Sequence, residues 1–257
     1  METIRFEAAD GIGTLTLNRP DRMNGMTTGM LVETHDCLSD VAGRSDVRVV
    51  VLTGEGRGFC PGADLKARVA GETAVPAESH HYNVPVLLHD MPQVTVAAIN
   101  GACAGAGLGW ALACDLRFAT RSATFSSAFL KVAVAGDMGG PWTLSRLVGA
   151  AKARELYFLP EKFHADEAQA MGLISRVFDD EVFREEISAV AKRLASSSPG
   201  ALATMKQNFL DAERLDLADY VAVETKRHQE RMRHEDVAEA FAAFVEKREP
   251  KFKSLEG

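Results

Sequence analysis

The chain has 257 residues, enough to bury a substantial core as one α/β domain or two smaller ones. Hydrophobic residues make up 46% and charged residues 25%, the balance of an ordinary globular protein, which excludes a disordered, fibrous or low-complexity chain. Asp and Glu number 36 against 29 Lys and Arg, and the net charge of −7 argues against broad binding to nucleic acid or to anionic membranes, so any anionic ligand has to meet a local cationic patch.

Two short runs of alternating apolar residues, 4–8 and 12–18, flank Asp10-Gly11, a strong tight-hairpin signal, so the chain opens with two paired strands. A turn cluster with two cations, Arg19 and Arg22, follows, and Met30, Leu31, Leu38 and Val41 have the spacing of one helix face over 27–41. Residues 47–53 read as a buried strand, which makes strand, helix, strand, the unit of a parallel sheet. A Gly-rich loop over 54–64 leads into a helix near Asp64, and the small, polar stretch 71–79 reads as a mobile surface loop before a helix that runs through Leu88. Residues 94–114 are as long and apolar as a membrane span, but Asn100 and four glycines interrupt them, so a buried strand over 94–99, a turn and a buried helix over 105–113 fit better. Residues 116–119 give another strand. From Ser145 onward the periodicity is helical, over 151–158, 165–171 and 181–196. After the linker-like cluster 196–200 the whole remainder reads as helix, which divides the chain into a core of 1–195 and a helical region of 196–257.

The four cysteines are scattered and lack CxxC or Cys/His ligand spacing, so neither a disulfide framework nor a metal site is expected. The first residues are charged and lack the apolar run of a signal peptide, which with reduced thiols points to the cytoplasm. Gly105, Gly107 and Gly109 after a strand invite a dinucleotide-binding reading. The spacing is GxGxG rather than GxGxxG, however, and Thr124-Phe125-Ser126 stands where a ribose-binding acid belongs, so no nicotinamide cofactor is expected.

Two strand-to-helix turns share one design: residues 58–65 around Gly62-Ala63-Asp64-Leu65, and Asn100-Gly101 running into Gly105-Ala106-Gly107. Each offers free backbone N–H groups at a helix start, and two such groups aimed at one point hold an oxygen that is becoming an oxyanion. Leu17-Asn18-Arg19-Pro20-Asp21-Arg22-Met23-Asn24, Gly62-Ala63-Asp64-Leu65, Asn100-Gly101, Cys114-Asp115 and Phe244-Val245-Glu246-Lys247-Arg248 occur in the order of the family motifs. On these residues the chain resembles the crotonase (enoyl-CoA hydratase/isomerase) superfamily over essentially its whole length.

The resemblance implies an α/β ββα spiral core of the ClpP-like kind, a C-terminal α-helical region that completes a homotrimer or a hexamer built as a dimer of trimers, and a site for an acyl-CoA thioester. Coenzyme A would enter as part of the substrate, with no separate cofactor. By residue match the oxyanion donors are the N–H groups of Ala63 and Ala106. CoA would lie near Asp64, Leu65 and Lys66 with Arg22 and Lys66 at its phosphates, while Gly105 and Phe129 belong to the same substrate site and Phe244 with Lys247 would reach a neighbouring subunit's ligand.

The two glutamates that hydratases of the family use to split water are matched here by Gly109 and Phe129, neither of which exchanges a proton. A different carboxylate is available in Asp137, Gly139, Gly140 and Trp142, a DxGGxW arrangement that resembles 1,2-epoxyphenylacetyl-CoA isomerases. The apolar neighbours Val132, Val134, Met138 and Trp142 predict a largely dry pocket in which Asp137 has a raised pKa and shuttles a proton. The competing reading of Asp137 is a helix N-cap. His80, His81 and Tyr82 are either residues of the acyl pocket or exposed side chains. Isomerisation of an acyl-CoA therefore ranks above hydration or hydrolysis with atypical residues, and a CoA-binding scaffold without chemistry is the reading from another class.

Overall fold

The computed structural model describes residues 1–71 and 76–252, so residues 72–75 of the loop expected over 71–79 lie outside it. β1 (Ile4–Ala9) and β2 (Ile12–Leu17) form the expected antiparallel hairpin. Asp10 and Gly11 take φ of 53° and 78°, the pair of positive values that a two-residue turn needs to match the strand twist. α1 (Thr28–Ala42) begins at Thr27, whose hydroxyl accepts the Met30 N–H, and buries Met30, Leu31, Leu38 and Val41 as its spacing predicts.

Three stretches then repeat one plan. β3 (Val49–Gly54) leads to β4 (Gly58–Cys60) and α2 (Leu65–Val69). After a 3-10 turn at Ser79–Asn83 and α3 (Val84–Asp90), β5 (Val94–Ile99) leads to β6 (Ala102–Ala104) and α4 (Gly105–Ala113). β7 (Leu116–Thr120) leads to β8 (Thr124–Ser126) and, through a loop, to α5 (Gly140–Val148). α6 (Ala150–Phe158), β9 (Phe163–His164), α7 (Ala165–Ala170), β10 (Arg176–Phe178) and α8 (Phe183–Ala195) complete this part. The first strand of each repeat joins a six-stranded sheet of order β1-β2-β3-β5-β7-β10, and the second joins a four-stranded sheet of order β4-β6-β8-β9. This is the ββα spiral that the sequence resemblance implies.

The large sheet is covered on both faces, and the alternation of its strands divides the two sides. Val50, Leu52, Ala97 and Ile99 face the main core with α1, α3 and α4, while Val49, Val51, Val96 and Ala98 face Phe183, Ile187, Ala191 and Ala195 of α8. Residues 94–114 are β5, β6 and the wholly buried α4, and no helix among the described residues is long and apolar enough to cross a membrane. The short strands β4, β6, β8, β9 and β10 are absent from the sequence reading. At two or three residues each they are too short to show a period, and β9 and β10 interrupt a stretch that reads as helical.

α9 (Pro199–Ala212), α10 (Leu217–Arg231) and α11 (Glu235–Glu246) form the C-terminal region. α9 is anchored by Lys206, which is buried. Its ammonium donates to the Leu88 and Gln93 carbonyls (3.2 and 2.9 Å) and pairs with Asp115 at 2.8 Å, so a charge taken out of water keeps a full set of partners. Asp115 in turn accepts the Thr95 N–H and hydroxyl. α10 buries no residue, and Phe241, Phe244 and Val245 of α11 are exposed.

Candidate active site

β4, β6 and β8 run parallel in the small sheet, and the segments that leave their carboxyl ends carry the candidate residues: Ala63 after β4, Ala106 after β6, and the loop 127–139 after β8. Ligands of open α/β sheets bind at such strand ends. Ala63 follows Gly62, at φ 101°, and Ala106 follows Gly105, at φ 52°, so each donor is preceded by a residue in a conformation that side chains resist. A Cβ on Gly62 would lie 3.2 Å from the Ala104 carbonyl and 3.6 Å from the Gly105 Cα, which puts the two turns side by side.

The Met26 and Asp64 amides pair across the Met26–Ala63 bridge and leave the Ala63 N–H without a backbone acceptor among the described residues. Ala106 lies in the first turn of α4, where N–H groups have no intrahelical partner, and the N-cap, Ala104, has no side chain to supply one. Two uncapped amides thus lie in adjacent turns, the second at the positive end of a buried helix.

The Ala63 turn is braced by charge. Asp64 accepts the Ala67 N–H at 3.0 Å as the cap of α2 and pairs with Arg19 at 2.9 Å, while Arg19 also donates to the Gly25 carbonyl. Burial acts to raise the Asp64 pKa, but the Ala67 and Arg19 hydrogen bonds and the charges of Arg19 and Arg22 outweigh it and hold the carboxyl below its ordinary value. Both carboxylate oxygens of Asp64 are thereby engaged within the protein, so this residue, expected at CoA, braces the donor turn. Arg22, Leu65 and Lys66 are exposed around it, and Arg22 and Lys66 place two cations beside the turn. Arg19, one of the two cations of the turn cluster, is largely buried in this pair. Replacing Arg19 by Ala strands the Asp64 charge, with an expected loss of about 1–3 kcal/mol. Because Asp64 is stabilising when ionised, that loss is full above pH 3.8 and fades as pH falls through the lower pKa of the folded state, which urea unfolding at several pH values will measure.

The loop after β8 holds Ala128, Ala133 and Met138 at φ of 61°, 58° and 56°, a concentration of unfavourable backbone typical of functional sites. Met138 packs directly on α4. A Cβ added to Gly109, one helical turn beyond Ala106, would lie 2.5 Å from the Met138 Cβ, so the space from which a longer side chain would project at 109 is already filled. Phe129 is buried and ties the loop to the donor turn: its ring lies 3.9 Å from a Cβ built on Gly105 and 3.5 Å from one built on Gly136, and it stacks on Tyr157. Gly105, Phe129, Gly136 and Tyr157 therefore form one continuous wall, with Asp137 at its end.

Asp137 departs from the sequence expectation in its surroundings, and the competing cap reading fails as well. The pocket is not dry in the single chain, because the residue is exposed and of its apolar neighbours only Met138 is buried, while Val132, Val134 and Trp142 are exposed. Asp137 is not a helix cap either: the N-cap of α5 is Gly139, without a side-chain hydrogen bond. Its carboxyl is accessible yet surrounded by enough protein that lost hydration raises its pKa. Among the described residues it is the one carboxyl whose pKa is resolved as raised; Glu33, Glu55, Asp64, Asp211 and Glu239 all shift down. Tyr157, which the sequence reading missed, stands beside it. Burial, reinforced by the Asp137 charge, pushes its phenol up to about 12.

Other expected residues lie elsewhere. Trp142 stacks under the Arg146 guanidinium at 3.7 Å and lines a cleft of about 470 Å³ with Leu112, Met205, Lys206 and Phe209. Leu112 is six residues along α4 from Ala106, about 9 Å away along the helix axis. Phe244 is 86% exposed and Lys247 caps α11 at φ 54°, and α11 does not pack extensively on the elements that carry the donor turns. His80 and His81 sit on the 3-10 turn rather than on a regular helix.

Residues 7–255 match the model of the enoyl-CoA hydratase/isomerase family. The chain is 36% identical to the 1,2-epoxyphenylacetyl-CoA isomerase of Escherichia coli (strain K12), with 98% of each chain covered. It is also 36% identical to a probable enoyl-CoA hydratase of Rhodobacter capsulatus, with 97% of each covered. Among solved structures, a putative enoyl-CoA hydratase from Streptomyces coelicolor A3(2) superposes with a TM-score of 0.90 at 34% identity, covering 98% of this chain and 94% of that one.

Proposed function

Because the chain belongs to the enoyl-CoA hydratase/isomerase family, we propose that it is an acyl-CoA isomerase in which Asp137 is the proton carrier. The observation that carries this reading is the pairing of Met138 and Asp137. Met138 occupies the space at Gly109 where the hydratase acid would begin, and the adjacent Asp137 is the carboxyl with a raised pKa. A carboxyl poised above the ordinary range both accepts and returns a proton readily, as isomerisation requires.

In this mechanism the thioester oxygen accepts hydrogen bonds from Ala63 and Ala106. Asp137 removes a proton from carbon, the electron pair moves into the thioester as an enolate held by the two N–H groups, and the protonated Asp137 returns the proton at another carbon of the conjugated system. No atom is gained or lost, so the base is regenerated in each turnover. Stabilising the enolate by preorganised donors is the larger contribution, with each donor worth roughly 10²–10³ in rate in comparable oxyanion holes. The phosphates of CoA would meet Arg22 and Lys66. A second copy of the chain, covering the exposed Phe241, Phe244 and Val245, would bring Lys247 to a neighbour's ligand in a trimer or hexamer. The name of the Escherichia coli relative supports a ring-derived thioester as one substrate, and a 3-enoyl-CoA is the simpler one.

The test is proton NMR in D2O with 1,2-epoxyphenylacetyl-CoA and with 2-enoyl-CoA and 3-enoyl-CoA thioesters of several lengths. The expected product is an isomer of unchanged elemental composition, with deuterium at the α or γ carbon where carried protons exchange with solvent. A 3-hydroxyacyl product would establish a hydratase instead, and absence of both turnover and exchange across the panel would establish a binding scaffold.

A further inference from the structure

Three imidazoles from two distant parts of the chain, His35 and the adjacent His80 and His81, converge beside α1. His35, on α1, meets His80 edge to face at 5.0 Å between ring centroids and His81 at 5.2 Å, and His80 lies 3.9 Å from His81. One nitrogen from each ring lies within 4.8 Å of the other two. Three titratable rings clustered in this way repel one another when protonated. When neutral they offer three lone pairs to one point.

Two of the rings have a carboxylate behind them. Asp36 Oδ1 is 3.1 Å from His35 Nδ1, and Glu78 Oε2 is 3.4 Å from His80 Nδ1. A carboxylate at Nδ1 holds the proton there and frees the Nε2 lone pair, the outer arrangement that orients metal-bound histidines. His81 is held differently: its Nδ1 accepts the Glu78 N–H at 2.9 Å. To bind through Nε2 it has to move its proton to Nδ1 and give up that one neutral hydrogen bond, a small cost beside a metal–imidazole bond. Zinc at about 2.0–2.1 Å from each nitrogen spaces tetrahedral ligands about 3.3 Å apart, so closing the cluster takes roughly 1.5 Å of side-chain movement or less. His81 is buried, His35 half-buried and His80 exposed, which gives a closed back and an open side for entry and for a fourth ligand such as water.

We infer that His35, His80 and His81 form a binding site for a divalent transition-metal ion of the zinc class, which ties the Ser79–Asn83 turn to α1. Imidazole ligands without a thiolate suit Zn²⁺, Ni²⁺ or Cu²⁺ rather than Mg²⁺ or Ca²⁺. The site needs no part of the acyl-CoA reading, and its three ligands come from segments 45 residues apart, which is why no sequence spacing announces it.

Untagged protein stripped with a chelator and titrated with ZnCl2 in a calorimeter, and separately with CoCl2 in the visible range, tests the site. The expected result is one ion per chain and the visible bands of four-coordinate cobalt. His35→Asn and His80→Asn should each weaken zinc at least tenfold, and Asp36→Asn about tenfold through loss of the orienting carboxylate. A variant lacking the surface histidines His164, His228 and His234 should bind as before. Well under one ion per chain, or unchanged affinity in folded His35→Asn, overturns the inference. Should a variant fail to fold, paramagnetic broadening by Co²⁺ in the unaltered protein decides: it must fall on the His35, His80 and His81 side chains, and broadening confined to other histidines overturns the site.

Discussion

Asp137→Asn is expected to lower kcat by about 10²–10⁴-fold while leaving substrate binding nearly unchanged, the range removed with a positioned acid or base. Asparagine keeps the size and a hydrogen-bonding oxygen but cannot carry the proton. Stability should not fall with activity. The Asp137 pKa is raised in the folded state, so folding binds a proton more tightly than the unfolded chain does. Its contribution to stability is therefore full below the ordinary value of 3.8 and is lost as pH rises through the folded pKa. At neutral pH the charged carboxylate costs stability, and its removal leaves Tm unchanged or slightly higher, a usual relation between a functional group and its fold. In wild-type protein the acid limb of kcat/KM should have its midpoint above 3.8 and should vanish in the variant. A variant that keeps full turnover on the true substrate would remove Asp137 from the chemistry.

Gly109→Glu is the second informative change, because it installs the acid that hydratases carry at the matching position. The expected result is loss of activity without gain of hydration. The new Cβ would start 2.5 Å from the Met138 Cβ and 3.1 Å from its carbonyl oxygen, so the 127–139 loop has to move off α4. Overpacking of this kind costs roughly 1–3 kcal/mol and displaces Asp137 with Met138. Adding Met138→Gly removes the offending Cβ and also suits φ 56°, so the double variant should recover much of the lost stability in urea unfolding. If Gly109→Glu alone proves as stable as wild type, Met138 does not fill that space in solution.

Much of the fold can be read in advance because its signals are local. Asp10-Gly11 dictates the first turn, the α1 periodicity dictates its buried face, and Gly62 and Gly105 mark the two turns whose φ values only glycine takes easily. The small sheet is hidden, since β4, β6 and β8 are three residues each and exist through pairing with one another, a non-local property. The same distinction runs through the site. Asp137 can be singled out by its motif, yet its exposure and the filling of Gly109 by Met138 depend on how the loop lies over α4. Trp142 belongs to that motif and still turns to a different cleft. Tyr157 and His35 come from helices remote in sequence and carry no local signal. Asn24 and Asn100 are family markers whose structural role appears only in three dimensions: Asn24 donates to the Glu55 and Gly58 carbonyls, and Asn100 donates to those of Gly54 and Gly56, fixing the turn between β3 and β4.

The small sheet also acts as a ruler. Neighbouring strands β4 and β6 stand one hydrogen-bonded step apart, about 4.8 Å, and each releases its donor amide within three residues of its end. The gap between the Ala63 and Ala106 amides is thus inherited from the repeat distance of a β-lattice, which no side-chain substitution alters much. The third strand, β8, releases the loop with Asp137, Met138 and Phe129. In the proposed mechanism grip and chemistry belong to separate threads of the spiral, so exchanging residues 127–139 should re-aim the reaction while the hold on a thioester oxygen persists.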